Sequence, residues 1–206
     1  YGRLKEYHHW EDSAEIVKKE AIWSFMMRPI CLNEKLPILL RPAMSYDFED
    51  CFGEQDWTKT FVTKLIITNT GTCHSLPFLY KILAEELGTD ASLALAPNHI
   101  YIKQKCQKYN GFNTELTNGL FPIDGWIMAA GYVPIETVRN GTYLKKLSER
   151  QSIAICLYDL AEGYRHKFQN DTANFILQCL DLALQENPNY IDALTLKGRT
   201  LFAHLS

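Results

Sequence analysis

The sequence predicts an α+β fold in which an antiparallel sheet packs on one helix. Two observations carry that prediction. Helical periodicity dominates both ends of the chain, and between them a cysteine-bearing turn leads into a helix followed by three strand-like segments in succession, ASLALA, HIYIK and GFNTELT. Consecutive strands joined by turns pair as antiparallel neighbours and bury a face against a helix. At 206 residues the chain has room for one ordinary domain and a small appendage. The division is read as residues 1–147, holding the sheet with an N-terminal helix and loop, and 148–206, holding helices alone.

The first helix is expected over Ser13–Met27, where Ile16, Val17, Ala21, Ile22 and Trp23 fall near helical spacing and Asp12 or Ser13 serves as cap. Pro29, Pro37 and Pro42 discourage long regular elements, so the aromatic-rich stretch to Thr60 is read as loop broken by short turns. FVTKLIIT fits a strand or a short apolar helix. LPFLYKILAEEL is a helix closed by Gly88. Pro77 bears on where that helix starts. A start at Cys73 puts Pro77 in the second turn, and a start at Leu76 makes Ser75 the cap. The reading adopted is a start near Cys73 through a bent or 3₁₀-like turn. Pro97 separates the first two strands, and Gly111 and Gly119 bound the third. IDGWIMAAGYVP, YLKKLS and everything from Ser148 onward read as mainly helical.

Composition excludes several function classes. Hydrophobic residues make up 47% and charged residues 22%, the balance of a globular protein. The net charge is −3 and no basic stripe occurs, so nucleic acid is not an expected partner. No apolar run approaches the roughly 18–20 residues of a membrane span. The chain starts at Tyr1, compatible with a cleaved signal peptide or a trimmed start, so localisation stays open between cytoplasm and export. Six cysteines are spread along the sequence without a CxxC pair, which argues against a zinc ribbon. Cys156 and Cys179 read as buried small apolar residues.

Cys73 stands apart because it meets the needs of a nucleophilic thiol. Only the thiolate attacks, a helix N-terminus lowers the thiol pKa, and a neighbouring imidazole takes the proton while a carboxylate or amide orients it. The chain offers these parts in the order Cys73, His99 and Glu115, with Asn113 as a second possible orienter. His99 opens a strand in which Ile100 and Ile102 face the core, sending His99, Tyr101 and Lys103 to the other face. Asn113 and Glu115 share a face of the next strand, and antiparallel pairing would bring either within reach. His74 points about 100° away from Cys73 on a helix, so it reads as a packing or surface residue, or a lining of the substrate groove. Metal binding by Cys73, His74 and His99 lacks a fourth ligand at a recognised spacing, and no metal or cofactor is expected.

GTC where a helix begins, PNH where a strand begins and ELT on the next strand resemble the transglutaminase-like superfamily, most closely the bacterial SirB1-type branch. The resemblance covers about Trp57 to Leu120. It implies a papain-like fold with Cys73 as nucleophile, His99 as general base and acid, and the residue before Leu116 as orienter. The family pattern has Asp at that place, whereas this chain has Glu115. In that branch the domain is joined to tetratricopeptide-like helices, and LALQENPNYIDALTLKG, with Ala183, Pro188, Leu194 and Gly198 at matching spacings, resembles that repeat.

The resemblance implies acyl transfer, most readily a peptidase-like or amidase-like hydrolase acting on a peptide or protein. The Cys73 N–H would be one oxyanion donor, with Asn69, Gln55 and Trp57 as candidates for the other. Asp47, Glu49, Asp50, Glu54 and Asp56 form either a rim selecting cationic substrates or a solvated acidic loop. The alternative is a catalytically silent scaffold that holds protein partners on its tetratricopeptide-like helices.

Overall fold

The computed structural model describes residues 14–33, 39–105, 111–168 and 173–205. It is a mixed α+β structure that divides into two compact units, Tyr1–Ile135 and Glu136–Ser206. The division comes earlier than the one read after residue 147, because the turn-rich segment following Ile135 clusters with the helices beyond it.

In the first unit, α1 (Ala14–Met27) buries Ile16, Ile22, Trp23 and Met26; its expected caps lie outside the described residues. The stretch read as loop contains an antiparallel hairpin, β1 (Ile30–Asn33) with β2 (Leu39–Arg41). Pro29 and Pro42 sit just outside the strands, where neither removes a ladder donor; Pro37 lies outside the described residues. β3 (Ser45–Tyr46) pairs in parallel with β4 (Thr70–Gly71). The chain between them passes through a 3₁₀ turn (Trp57–Thr60) and α2 (Val62–Thr68), so FVTKLIIT resolves as helix. Asn69 ends α2 in the left-handed region at φ 55°, its N–H donating to the Leu65 carbonyl.

α3 (Ser75–Glu86) carries the core. Its start corrects the expected bent or 3₁₀ opening: an α-helix begins at Ser75, placing Cys73 in the preceding turn and Pro77 in the first helical turn, where no intrahelical partner is needed. Gly88, at φ 60°, closes the far end as expected. Beyond it β5 (Ser92–Ala96), β6 (His99–Gln104) and β7 (Phe112–Thr114) form an antiparallel sheet in chain order.

α3 packs against β5, β6 and α1. Leu76, Tyr80, Ala84, Leu93 and Ile102 are fully buried there. A polar chain crosses this core: Gln104 Nε2 donates to Tyr80 Oη at 3.0 Å and to Thr114 Oγ1 at 2.7 Å, and Tyr80 Oη donates to the Lys19 carbonyl at 3.1 Å. These buried hydrogen bonds tie β7, β6, α3 and α1 in one register. α4 (Asp124–Ala130) follows the sheet, and α5 (Ile135–Arg139) begins at the unit boundary.

The second unit consists mainly of α6 (Glu149–Lys167), α7 (Ala173–Glu186) and α8 (Ile191–Leu205), with α7 packed on both neighbours. YLKKLS, read as helical, is turn and extended chain, since Gly141 at φ 77° and Leu144 at φ 60° leave the helical region. Ser148 and Gln151 form a reciprocal capping box at the start of α6. Tyr158 meets Tyr190 at 5.4 Å and Tyr164 meets Phe175 at 4.3 Å between ring centroids. Ala183 and Ala193 are fully buried, while Leu194 is half-exposed. Cys179 is buried as read, but Cys156 is exposed, one step around α6 from the buried Ile155. Among the described residues no helix is long and apolar enough to cross a membrane.

Candidate active site

Cys73 sits where β4 hands over to α3. A Cβ on Gly71 would collide with Ser75 Oγ and crowd Leu65, so glycine lets the helix start close behind the strand. Ser75 fastens the turn: its Oγ accepts from the Thr72 N–H at 3.0 Å and donates to the Lys59 carbonyl at 2.7 Å. The His74 N–H goes to Thr72 Oγ1 at 3.2 Å. Among the described residues the Cys73 N–H between them meets no acceptor.

The thiol is 4% exposed. Its sulfur lies 3.9 Å from the Asn98 carbonyl, and the His99 ring and the Ile100 N–H act on it electrostatically. Asn98, at φ 53°, makes the tight reversal between β5 and β6 that directs this backbone at the sulfur. Burial pushes the Cys73 thiol up, but the interaction with His99, the charges of His74 and His99 and the Ile100 N–H together outweigh it and hold the thiol below its ordinary value.

His99 Nε2 meets Glu115 Oε2 at 2.6 Å. Glu115 is itself fixed. Its Oε1 accepts from the Thr117 N–H at 3.0 Å and the Thr117 hydroxyl at 2.8 Å, and its backbone bridges to Leu120. Burial pulls the His99 pKa down, yet the bonds to Cys73 and Glu115 and their charges raise it to about 10. Burial likewise works against the Glu115 carboxylate, and the His99 bond keeps its pKa below the ordinary 4.5. His99 and Glu115 form a close imidazole–carboxylate pair, and the electrostatics of the site favour charge on both and on the Cys73 sulfur.

The structure chooses between the two orienters. Asn113 pairs with Lys103 at the far end of β6 and donates instead to the Pro122 carbonyl at 3.0 Å and Asp124 Oδ1 at 2.8 Å. Glu115 lies nearer the start of β6, and its side chain reaches the His99 ring. The His74 ring meets Trp57 at 6.4 Å between centroids, edge to face, and its charge acts on the Cys73 thiol.

Gln55 is exposed, and its N–H donates to Asp50 Oδ1 at 3.1 Å. Asn69 terminates α2, and its carbonyl accepts from the Ser45 N–H at 2.8 Å. The acidic loop is neither a free rim nor fully solvated: Lys59 reaches Asp47 at 2.8 Å and Asp50 at 3.4 Å, Lys64 reaches Asp56 at 3.3 Å, and backbone N–H groups take much of what remains. Sequence reasoning missed Tyr46, which interacts electrostatically with Cys73, Cys51 and Glu115. Its distance along the chain gave no signal; only the β3–β4 pairing brings it in. Among the described residues, no group of three or more His, Cys, Asp or Glu is placed to hold a metal ion. Compared with known proteins, the chain matches no protein-family model, no curated protein and no solved structure.

Proposed function

We propose that this chain is a cysteine-dependent acyl-transfer enzyme with a transglutaminase-like, papain-like core, acting as a peptidase-like or amidase-like hydrolase on a peptide or protein. The observation that carries this reading is the Glu115 carboxylate 2.6 Å from His99 Nε2, with the Cys73 sulfur 3.9 Å from the carbonyl of Asn98, the residue before His99. A carboxylate on one ring nitrogen fixes the imidazole and favours its protonated form, and that form stabilises a thiolate on the other side. Cys73 would attack an amide or ester carbonyl, His99 would protonate the leaving group, and water activated by His99 would release the acid from the thioester. The Cys73 N–H supplies one donor for the oxyanion.

Site-resolved alkylation with iodoacetamide tests this reading. Cys73 should react at neutral pH far faster than Cys31 or Cys51, despite lying deeper than either. Equal rates at all accessible thiols would leave Cys73 without thiolate character and remove the hydrolase proposal. A second reading, a scaffold acting through tetratricopeptide-like helices, is favoured by Ile191, Leu194 and Leu201, all 42% or more exposed on α8. Under it, peptide binding would persist after Cys73→Ala with no loss of function.

A further inference from the structure

We propose that Tyr101 is a positioning residue for His99, its ring lying alongside the imidazole and holding the tilt that the bond to Glu115 leaves free. The inference rests on the acyl-transfer reading and gives that site a residue the reading does not assign. His99 and Tyr101 stand two apart on β6 and so occupy one face of the sheet. Their partners on β5 are Ala96 and Ala94, whose methyl side chains leave the two rings as the large groups at that end of the β5–β6 pair. The rings lie 6.5 Å apart between centroids, with planes 11° apart, within the range of offset-stacked aromatic pairs.

Tyr101 is fully buried, and among the described residues its hydroxyl has no hydrogen-bond partner. A buried hydroxyl without a partner costs stability, so what the residue supplies here is its ring rather than its polar end. Full burial holds that ring in place. Burial, with the charges of Asp124 and Glu115, also pushes the phenol pKa up, and the ring stays neutral beside an imidazole drawn toward its charged form.

The imidazole needs such a support. Glu115 Oε2 meets it at one corner, Nε2, at 2.6 Å. One hydrogen bond fixes the distance of that corner and leaves the ring free to tilt about the bond axis. A nearly parallel neighbour opposes the tilt, because turning one ring out of plane pushes its edge toward the other. The tilt decides where the second ring nitrogen points, and misplacing a catalytic group by about 1 Å costs about 10²-fold in rate. Glu115 thus sets the charge of His99, and Tyr101 sets its aim.

The test is Tyr101→Leu in the full chain, which keeps an apolar side chain and removes the flat ring. Two readouts are followed. One is the pH midpoint of Cys73 alkylation by iodoacetamide; the other is Cys73 acetylation by p-nitrophenyl acetate, in which the thiolate takes the acetyl group and p-nitrophenolate leaves. The midpoint should rise toward the ordinary thiol value, and acetylation should slow by about 10-fold or more. Tyr101→Phe, which restores the ring without the hydroxyl, should rescue both. A leucine variant that loses melting temperature alone would overturn the proposal, since packing would then be all that Tyr101 supplies. Equal losses in the two variants would overturn it too. The wild-type protein should show nuclear Overhauser contacts between the ring protons of His99 and Tyr101, and their absence would overturn it even if the leucine variant does not fold. An ordinary wild-type midpoint would bring down the acyl-transfer reading and this inference with it. A lowered midpoint that Tyr101→Leu does not move would bring down this inference alone.

Discussion

The two ends of β6 carry similar chemistry put to different use. At one end His99 meets Glu115 at 2.6 Å; at the other Lys103 meets Asp124 at 2.6 and 2.8 Å, and Asn113 donates to the same carboxylate at 2.8 Å. Both are cation–carboxylate pairs on one strand face. The Lys103 ammonium is a point charge, and its cluster lies beside the exposed Asp124. The His99 ring has a second nitrogen, and the charges of Glu115 and Cys73 both act on it. What distinguishes the two pairs is that second nitrogen and the thiol that acts on the ring.

Substitutions should break this comparison in a definite order. The largest effect is expected at the sulfur. Cys73→Ala should abolish acylation by p-nitrophenyl acetate, with a circular-dichroism spectrum like that of the wild type, because the thiol contributes little to the core beside Leu76 and Tyr80. His99→Ala should slow acylation by about 10²–10⁴-fold, the range of general acid–base catalysis, measured as the rate of Cys73 acetylation.

Next comes the contrast between the strand ends. Glu115→Gln keeps the shape but removes the charge that holds the imidazolium, so it should lower the acylation rate by about 10-fold or more and move the alkylation midpoint upward. Asn113→Ala should leave both unchanged and lower the melting temperature slightly, as expected for a lost hydrogen bond of about 1 kcal/mol. A larger kinetic effect from Asn113→Ala than from Glu115→Gln would reverse the assignment of the orienter.

The smallest effect is on stability against pH, read from urea midpoints. Glu115, held below 4.5, contributes stability that is present above that value and declines as pH falls. His99, raised from 6.5 to about 10, contributes stability that is complete below 6.5 and disappears as pH rises through about 10. Replacing Glu115 by Gln should flatten the acid limb. Replacing Lys103 should leave the acid limb attributable to Glu115 in place.

The sequence was informative where local chemistry decides structure. The period-2 pattern of HIYIK and the turn residues around it located β6 and placed His99 at its start, and Gly88 marked the end of α3. It was less informative where pairing decides. FVTKLIIT is apolar enough for either element, and the choice rests on Leu65 being buried between neighbours. The β1–β2 hairpin was obscured by prolines that stand beside its strands rather than within them. Cys73, His99 and Glu115 were legible as types in order, but the choice of Glu115 over Asn113 required the β6–β7 register. Tyr46 and Cys51 were not legible at all, since nothing local links them to residues beyond Gly71.

If Cys73 and His99 share a proton in favour of the charged pair, the pH dependence of Cys73 alkylation by iodoacetamide will carry the mark of it. The wild-type midpoint should lie well below the ordinary thiol value of about 8.5 and move up toward that value in His99→Gln. A wild-type midpoint at or above about 8.5, unmoved by that substitution, would contradict it.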